Sequence, residues 1–119
     1  MRGFTAVLLG ACLVTAACGG GSESAAQQVV DQFVRDGLPV PHPRDNSERS
    51  CPQLGCAQLI TTDVVSVLSF ADESAATRFA ARFGPDAFSR GPIVLQYAAA
   101  RTPEDRRAQF ESSLEALLE

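Results

Sequence analysis

The amino-terminal segment decides how much of this chain can form a folded domain. Met1-Arg2-Gly3 is a short basic start, and the fourteen residues from Phe4 to Ala17 carry no charge. A helix that crosses a bilayer needs about 20 apolar residues, so this run is too short for a stable transmembrane helix. It predicts instead a cleaved signal peptide over residues 1–17. The rest of the chain is long enough for one small domain.

A cysteine stands where the apolar run ends. Small residues precede Cys18 in the segment LVTAAC of residues 13–18, and glycines follow it at 19–21. This pattern resembles the lipobox of bacterial lipoproteins, of the actinobacterial type. The resemblance implies cleavage before Cys18, diacylglycerol on its sulfur and a flexible tether over residues 18–23. The segment departs from the usual box at Thr15, where such boxes usually have leucine.

Two alternatives to lipidation at Cys18 remain open. The segment LGAC of residues 9–12 matches the same pattern, so Cys12 is a second candidate. Processing there would leave a very short apolar core and would place Leu13 and Val14 after the anchor, which favours Cys18. The other alternative is an ordinary secretory signal that carries no lipid.

The composition predicts a globular domain and argues against nucleic-acid binding. Hydrophobic residues make up 45% of the chain and charged residues 20%, which is ordinary for a folded protein. The formal net charge is -4, and loss of Arg2 with the leader makes it -5. All ten basic residues are arginines scattered among more numerous acids, whereas nucleic-acid binders concentrate basic residues on one face. Membrane contact is therefore expected through the lipid anchor alone.

The two remaining cysteines predict a structural disulfide. An even pair in an exported chain is most simply a bond between Cys51 and Cys56. Pro52 and Gly55, which lie between them, suit a tight turn. Redox or metal chemistry is the alternative, but four residues separate the thiols where thioredoxin-like sites use two, and nothing completes a zinc site.

The hydrophobic pattern of residues 24–119 predicts a single α+β domain. A helix begins at Ser24 and ends near Gly37, and an irregular loop follows from Leu38 to Pro52. Strands are predicted at 57–61 and 64–70, followed by a helix capped by Asp72.

The last third of the chain predicts a loop, a strand and a helix. The loop runs through Gly91-Pro92 and the strand covers 93–98. Thr102 as cap and Pro103 at the first position predict the final helix, whose buried stripe is Phe110, Leu114, Leu117 and Leu118. The order helix, loop, ββαβα predicts a small two-layer sandwich, and it resembles half of a ferredoxin-like fold or a subunit of a dimeric α+β barrel.

Few residues suggest a ligand site. Arg78 and Arg82 lie four apart on one helix and could bind an anionic ligand, together with Arg90 or Arg101. Tyr97 could line the same pocket. The alternatives are a solvated polar face for the arginines and core packing for the tyrosine.

The sequence pattern indicates no set of catalytic or metal-binding residues. His42 lies between two prolines without a carboxylate at helical or strand spacing, so we interpret it as an exposed, incidental side chain. The acid pairs at 72–73 and 104–105 are explained by helix starts. We therefore expect neither a metal nor a cofactor.

These observations predict an extracytoplasmic lipoprotein of the cell membrane. Its domain is expected to be a non-enzymatic binding or accessory module that contacts an envelope protein or a small ligand. The alternative is a small-ligand-binding or enzymatic domain built as a dimer of α+β subunits.

Overall fold

The computed structural model describes residues 24–98 and 101–119. The predicted signal peptide, Cys12, Cys18 and the tether 18–23 lie outside the described residues.

Within the described ranges, the chain forms four α-helices and a five-stranded sheet. The helices are α1 (Ala25–Arg35), α2 (Ser47–Leu54), α3 (Glu73–Ala81) and α4 (Glu104–Leu118). The strands are β1 (Arg44–Asp45), β2 (Gln58–Thr61), β3 (Val65–Ser69), β4 (Ala87–Arg90) and β5 (Ile93–Tyr97). A single 3-10 turn, Gly84–Asp86, connects α3 to β4.

The sheet has the strand order β1-β2-β3-β5-β4, and each pair of neighbours is antiparallel. Strand β5 lies between β3 and β4, so these two strands run parallel to each other, and α3 connects them. This is a split β-α-β unit, the half of a ferredoxin-like fold that the strand and helix alternation suggested. The short β1 forms one edge beside β2, with Arg44 opposite Thr61.

Both faces of the sheet are covered by helices. Because side chains alternate along a strand, Ile93, Leu95 and Tyr97 lie on one face of β5 and Val94 lies on the other. The first three pack in a core with α1 and α4, while Val94 packs in a second core with Cys51 of α2 and with α3. The predicted α+β sandwich is confirmed. It has three layers instead of the two expected, because helices cover both faces of the sheet. The nearly continuous burial of β3 and β5 is typical of strands covered on both faces.

Helix α1 is the best example of local sequence determining structure. The Ser24 hydroxyl accepts a 2.8 Å hydrogen bond from the Gln27 backbone N–H, which caps the helix. The buried stripe that packs on the sheet is Ala26, Val29, Val30 and Phe33. The Phe33 ring meets Phe110 of α4 edge-on, with 4.8 Å between ring centroids, and so joins the two helices on this face.

The predicted loop from Leu38 to Pro52 is wrong in its second half. Residues 44–54 contain β1 and α2, and Pro52 lies inside α2. Two side chains fasten this segment to β2: Asn46 Nδ2 donates to Thr61 Oγ1, and Ser47 Oγ accepts from the Leu59 N–H. Local sequence did not reveal these elements because their partners lie on another strand.

Two further predictions are corrected. The expected loop before Gly91 contains β4, which pairs with β5 along its whole length. At the start of α4, Pro103 occupies the cap position, and Thr102 instead donates to the Val64 carbonyl and accepts from the Ala98 N–H. The buried residues of α4 are Phe110, Ser113 and Leu114, while Leu118 is 39% exposed. Leu118 is the last residue of α4, and Leu117 beside it is partly buried against the core on this face of the sheet.

Candidate functional site

The predicted disulfide is present and lies beside the best candidate site. Cys51 and Cys56 are bonded, with 4.7 Å between their Cα atoms. Cys51 is buried in the core beneath α3, and Gly55 ends α2 in the left-handed conformation at φ 83°. That conformation favours glycine, and it turns the chain back so that Cys56 reaches Cys51. The bond is therefore structural, with one sulfur sealed in the core.

A pocket of about 140 Å³ lies between this disulfide loop and α3, and we call it the arginine pocket. Leu54 and Gly55 of the disulfide loop form one side, and Arg78 of α3 and Arg82 at its carboxyl-terminal cap form the other. Its apolar lining consists of Leu54, Ala75, Phe70 and Phe79. The two phenylalanines are almost fully buried, with 5.1 Å between their ring centroids, whereas Leu54 is exposed. The pocket thus joins an apolar surface to two guanidinium groups.

Each arginine of this pocket contacts a nearby side chain of α3. The Arg78 Nη1 donates to Ser74 Oγ at 2.7 Å, and the Arg82 guanidinium lies 5.7 Å from the centroid of the Phe79 ring. Neither takes part in any ion pair formed within residues 24–98 and 101–119. Like charges four residues apart on a helix repel each other, so an anion between them would relieve this repulsion.

Tyr97, the third predicted site residue, is not in the arginine pocket. It belongs to the core on the opposite face of the sheet, where its hydroxyl donates to Glu111 Oε2 at 2.7 Å. The Arg107 guanidinium lies 4.8 Å from the centroid of its ring. Burial, reinforced by Glu111, raises the pKa of Tyr97 well above its usual range, so the phenol stays protonated.

The other two candidate arginines are also engaged elsewhere. Arg90 forms an ion pair with Glu115 at 3.5 Å, and Arg101 Nη1 donates to the backbone carbonyl of Asp63 at 3.4 Å. The structure therefore brings Arg78 and Arg82 together and leaves Arg90, Arg101 and Tyr97 apart from them.

His42 has a partner that the sequence pattern did not reveal. Its Nδ1 donates to Oδ2 of Asp63 at 2.7 Å, and Arg44 lies 3.9 Å from the other carboxylate oxygen. The hydrogen bond from His42 is the main cause of the lowered pKa of Asp63. His42 has a positive φ of 57°, and its side chain is 75% exposed. This contact ties the proline-rich segment to the turn between β2 and β3 and leaves the imidazole in solvent.

Three hollows in the described part of the chain are larger than the arginine pocket. The smallest of the three, of about 200 Å³, is lined by Tyr97, Gln96 and Thr62 among others and has no charged side chain in its lining. The remaining two are larger still. One of about 550 Å³ lies at the start of α2, where hydrogen bonds from Ser47 to Asp45 lower the pKa of that carboxyl. The other, of about 430 Å³, lies between the end of α1 and α4, where Ser113 donates to Asp36 at 2.6 Å. Asp45 and Asp36, which line these two hollows, are thus already hydrogen-bonded within the domain. Across the described ranges, no group of three or more His, Cys, Asp and Glu residues could hold a metal.

Comparison of the chain with protein-family models, with curated proteins and with solved structures finds no match. None of the described helices has the length and apolar character needed to cross a bilayer. Function is therefore inferred from the residues themselves.

Proposed function

We propose that this protein is an exported lipoprotein whose α+β domain serves as a non-enzymatic binding module at the outer face of the cytoplasmic membrane. The observation that carries the exported location is the bond between Cys51 and Cys56. Disulfides persist in oxidising compartments and are rare in the bacterial cytosol. The predicted signal peptide over residues 1–17 supports the same location, and Cys18, which follows it, would carry the anchor.

The lipid would hold the domain firmly and close to the membrane. Each buried methylene of an acyl chain contributes about 0.8 kcal/mol, so the two chains of a diacylglycerol on Cys18 anchor far more tightly than one. The tether 18–23 has a coil reach on the order of 13 Å. Because α1 begins at Ala25, the amino-terminal end of α1 would lie nearest to the membrane.

The arginine pocket supports the binding role and favours a ligand of negative charge. It is concave and lined by two guanidinium groups without carboxylate partners among the described residues. It also favours the second candidate, a small-ligand-binding or enzymatic domain that acts as an α+β dimer. Light scattering on the purified protein tests the second candidate, which requires a dimer; a monomer would overturn it.

The anchor is tested by expressing the full chain in a bacterial host supplied with an alkyne-labelled fatty acid. We expect label on the wild type and on Cys12→Ser, and none on Cys18→Ser. The labelled protein should fractionate with membranes, and its amino-terminal peptide should begin at a diacylglyceryl-modified Cys18 by mass spectrometry. Loss of the label only in Cys12→Ser would show that Cys12, and not Cys18, carries the lipid. Unmodified thiols at both positions would overturn the lipoprotein proposal.

A further inference from the structure

We infer that the arginine pocket binds a phosphate ester, with the phosphate held by Arg78 and Arg82 and the adjoining apolar group against Phe70 and Phe79. The inference rests on the proposed role of the domain as a binding module and names its ligand class. The ligand could be a soluble phosphate ester or the headgroup of an anionic phospholipid. Both present the same chemistry to the pocket.

The charge of the pocket favours phosphate over carboxylate. One guanidinium can already satisfy both oxygens of a carboxylate through two parallel hydrogen bonds. A phosphate ester offers more acceptor oxygens and, as a monoester, up to two negative charges, which match two guanidinium groups. Arg78 lies in the last turn of α3, and Arg82 is the C-cap residue that follows Ala81 with right-handed helical dihedral angles, four positions further on. Their side chains can therefore approach one phosphate from the same side.

The apolar lining of the pocket favours an ester over free phosphate. The apolar side chain most open to a ligand is Leu54, which is 37% exposed, while Phe70 and Phe79 are 6% and 4% exposed and form the floor beside it. An inorganic ion would leave this apolar surface uncovered, whereas an aryl or alkyl group next to the phosphate would cover it. The pocket volume of about 140 Å³ suits a headgroup rather than a whole lipid or nucleotide.

The disulfide fixes the wall that faces the arginines. Leu54 and Gly55 lie inside the loop closed by Cys51 and Cys56, and Cys51 is anchored in the core shared with Phe70 and Phe79. The wall is therefore held before any ligand arrives, which lowers the entropy that binding would otherwise cost.

The test is a titration of the purified full-length protein in a neutral detergent, followed by nuclear magnetic resonance. The probes are phenyl phosphate, inorganic phosphate, benzoate and a short-chain phosphatidic acid below its micellar concentration. The key variant is Arg78→Gln with Arg82→Gln. The matched control is Arg35→Gln with Arg106→Gln, which removes the same charge from α1 and α4, where each arginine donates to a glutamine of its own helix.

We expect phenyl phosphate or phosphatidic acid to shift the resonances of Phe79 and Gly55. The key variant should weaken this binding by about tenfold or more, as expected for the loss of charge-assisted hydrogen bonds, and the control should leave it unchanged. Arg82→Lys keeps the charge but loses the planar fork, so it should weaken binding less than the double variant. Tighter binding of phosphatidic acid than of phenyl phosphate would identify the lipid as the source, and the reverse would identify a soluble ester.

The inference is overturned if neither ester binds, if benzoate binds as tightly as the esters, or if the control variant weakens binding as much as the key variant. Binding is read on the protein whatever its acyl state. A failure of lipidation at Cys18 would therefore leave this test intact, and a failure of phosphate binding would leave the anchor standing.

Discussion

The hydroxyl of Tyr97 on β5 donates a 2.7 Å hydrogen bond to the carboxylate of Glu111 on α4. The Arg107 guanidinium lies over the same tyrosine ring and reaches Asp86 at 3.3 Å and the Pro85 carbonyl at 3.0 Å. This network fastens the final helix to the sheet and to the turn before β4. It assigns to Tyr97 a role in packing, which was the alternative to its place in a ligand pocket.

The Tyr97→Phe variant tests how much this contact stabilises the domain. It keeps the ring in the core but leaves Glu111 without its donor, so we expect the free energy of unfolding to fall by about 1 to 3 kcal/mol. Urea denaturation followed by circular dichroism measures the change. Glu111→Gln keeps an acceptor for the tyrosine and should cost less. An unchanged midpoint for Tyr97→Phe would mean that the hydrogen bond does not hold α4 in place.

The raised pKa of Tyr97 predicts a loss of stability in alkaline solution. The folded state holds the phenolic proton more tightly than the unfolded chain, whose tyrosine titrates near pH 10. The stabilisation is therefore complete below about pH 10 and is lost as the pH rises above that value. Tyr97 is the only tyrosine and the chain has no tryptophan, so ultraviolet absorbance reports this one group.

We expect the phenolate absorbance of Tyr97 to appear together with unfolding by circular dichroism, above pH 10. The matched measurement is the same titration in concentrated urea, where ionisation should occur near pH 10. Ionisation near pH 10 in the folded protein would contradict the burial of the hydroxyl.

The contact between His42 and Asp63 predicts a carboxyl that titrates below its usual range. Because hydrogen bonding from His42 lowers the pKa of Asp63, its contribution to stability is present above about pH 4 and is lost as the pH falls further. Carbon-13 chemical shifts of the Asp63 carboxyl should give a depressed midpoint. In His42→Asn, which tolerates the positive φ but removes the imidazole, the midpoint should rise toward the ordinary value. Equal midpoints in the two proteins would show that His42 does not act on Asp63.

Removal of the disulfide should loosen the arginine pocket more than the rest of the domain. The loop from Cys51 to Cys56 is short, so the chain-entropy relation gives a loss of about 2 kcal/mol for Cys51→Ala with Cys56→Ala. Hydrogen exchange should quicken at Leu54 and Gly55 and stay unchanged in α1, which packs on the opposite face of the sheet. The oxidised wild-type protein is the reference. The reduced wild-type protein lacks the bond but keeps both cysteine side chains, so it should behave like the variant. Uniform acceleration along the chain would mean that the bond secures the whole fold instead.

Local patterns predicted the elements that carry their own signals. The cap at Ser24 and the apolar spacing of α1, the β-branched run of β3 and the Asp72 cap of α3 all correspond to structure. The sequence did not predict β1, β4 and α2, because these elements are short and carry no continuous apolar pattern. They exist because β2 and β5 offer hydrogen-bond partners to β1 and β4, and the same β2 holds the start of α2.

Part of the candidate site could be predicted from local sequence, and part of it could not. Arg78 and Arg82 belong to one helix, so their shared face could be read from a spacing of four residues. Their neighbours Phe70, Leu54 and Gly55 come from other elements, and no spacing along the chain could have placed them there. The pairing of His42 with Asp63 spans 21 residues and likewise depends on how the loops pack.

The sequence by itself determined the pairing of Cys51 with Cys56 and the apolar faces of the main helices and strands, since each of these follows from residues close together in the chain. The signal peptide before Cys18 stays a prediction from the sequence. Only the tertiary structure decided that helices cover both faces of the sheet, that Tyr97 faces α4 while the arginine pair lies on the opposite side, and that a pocket opens beside the disulfide. The physical reason is that a strand with apolar residues on both faces can bury either face against any helix that its connections allow to reach the sheet. The packing of the whole sheet therefore selects which helix lies on which face.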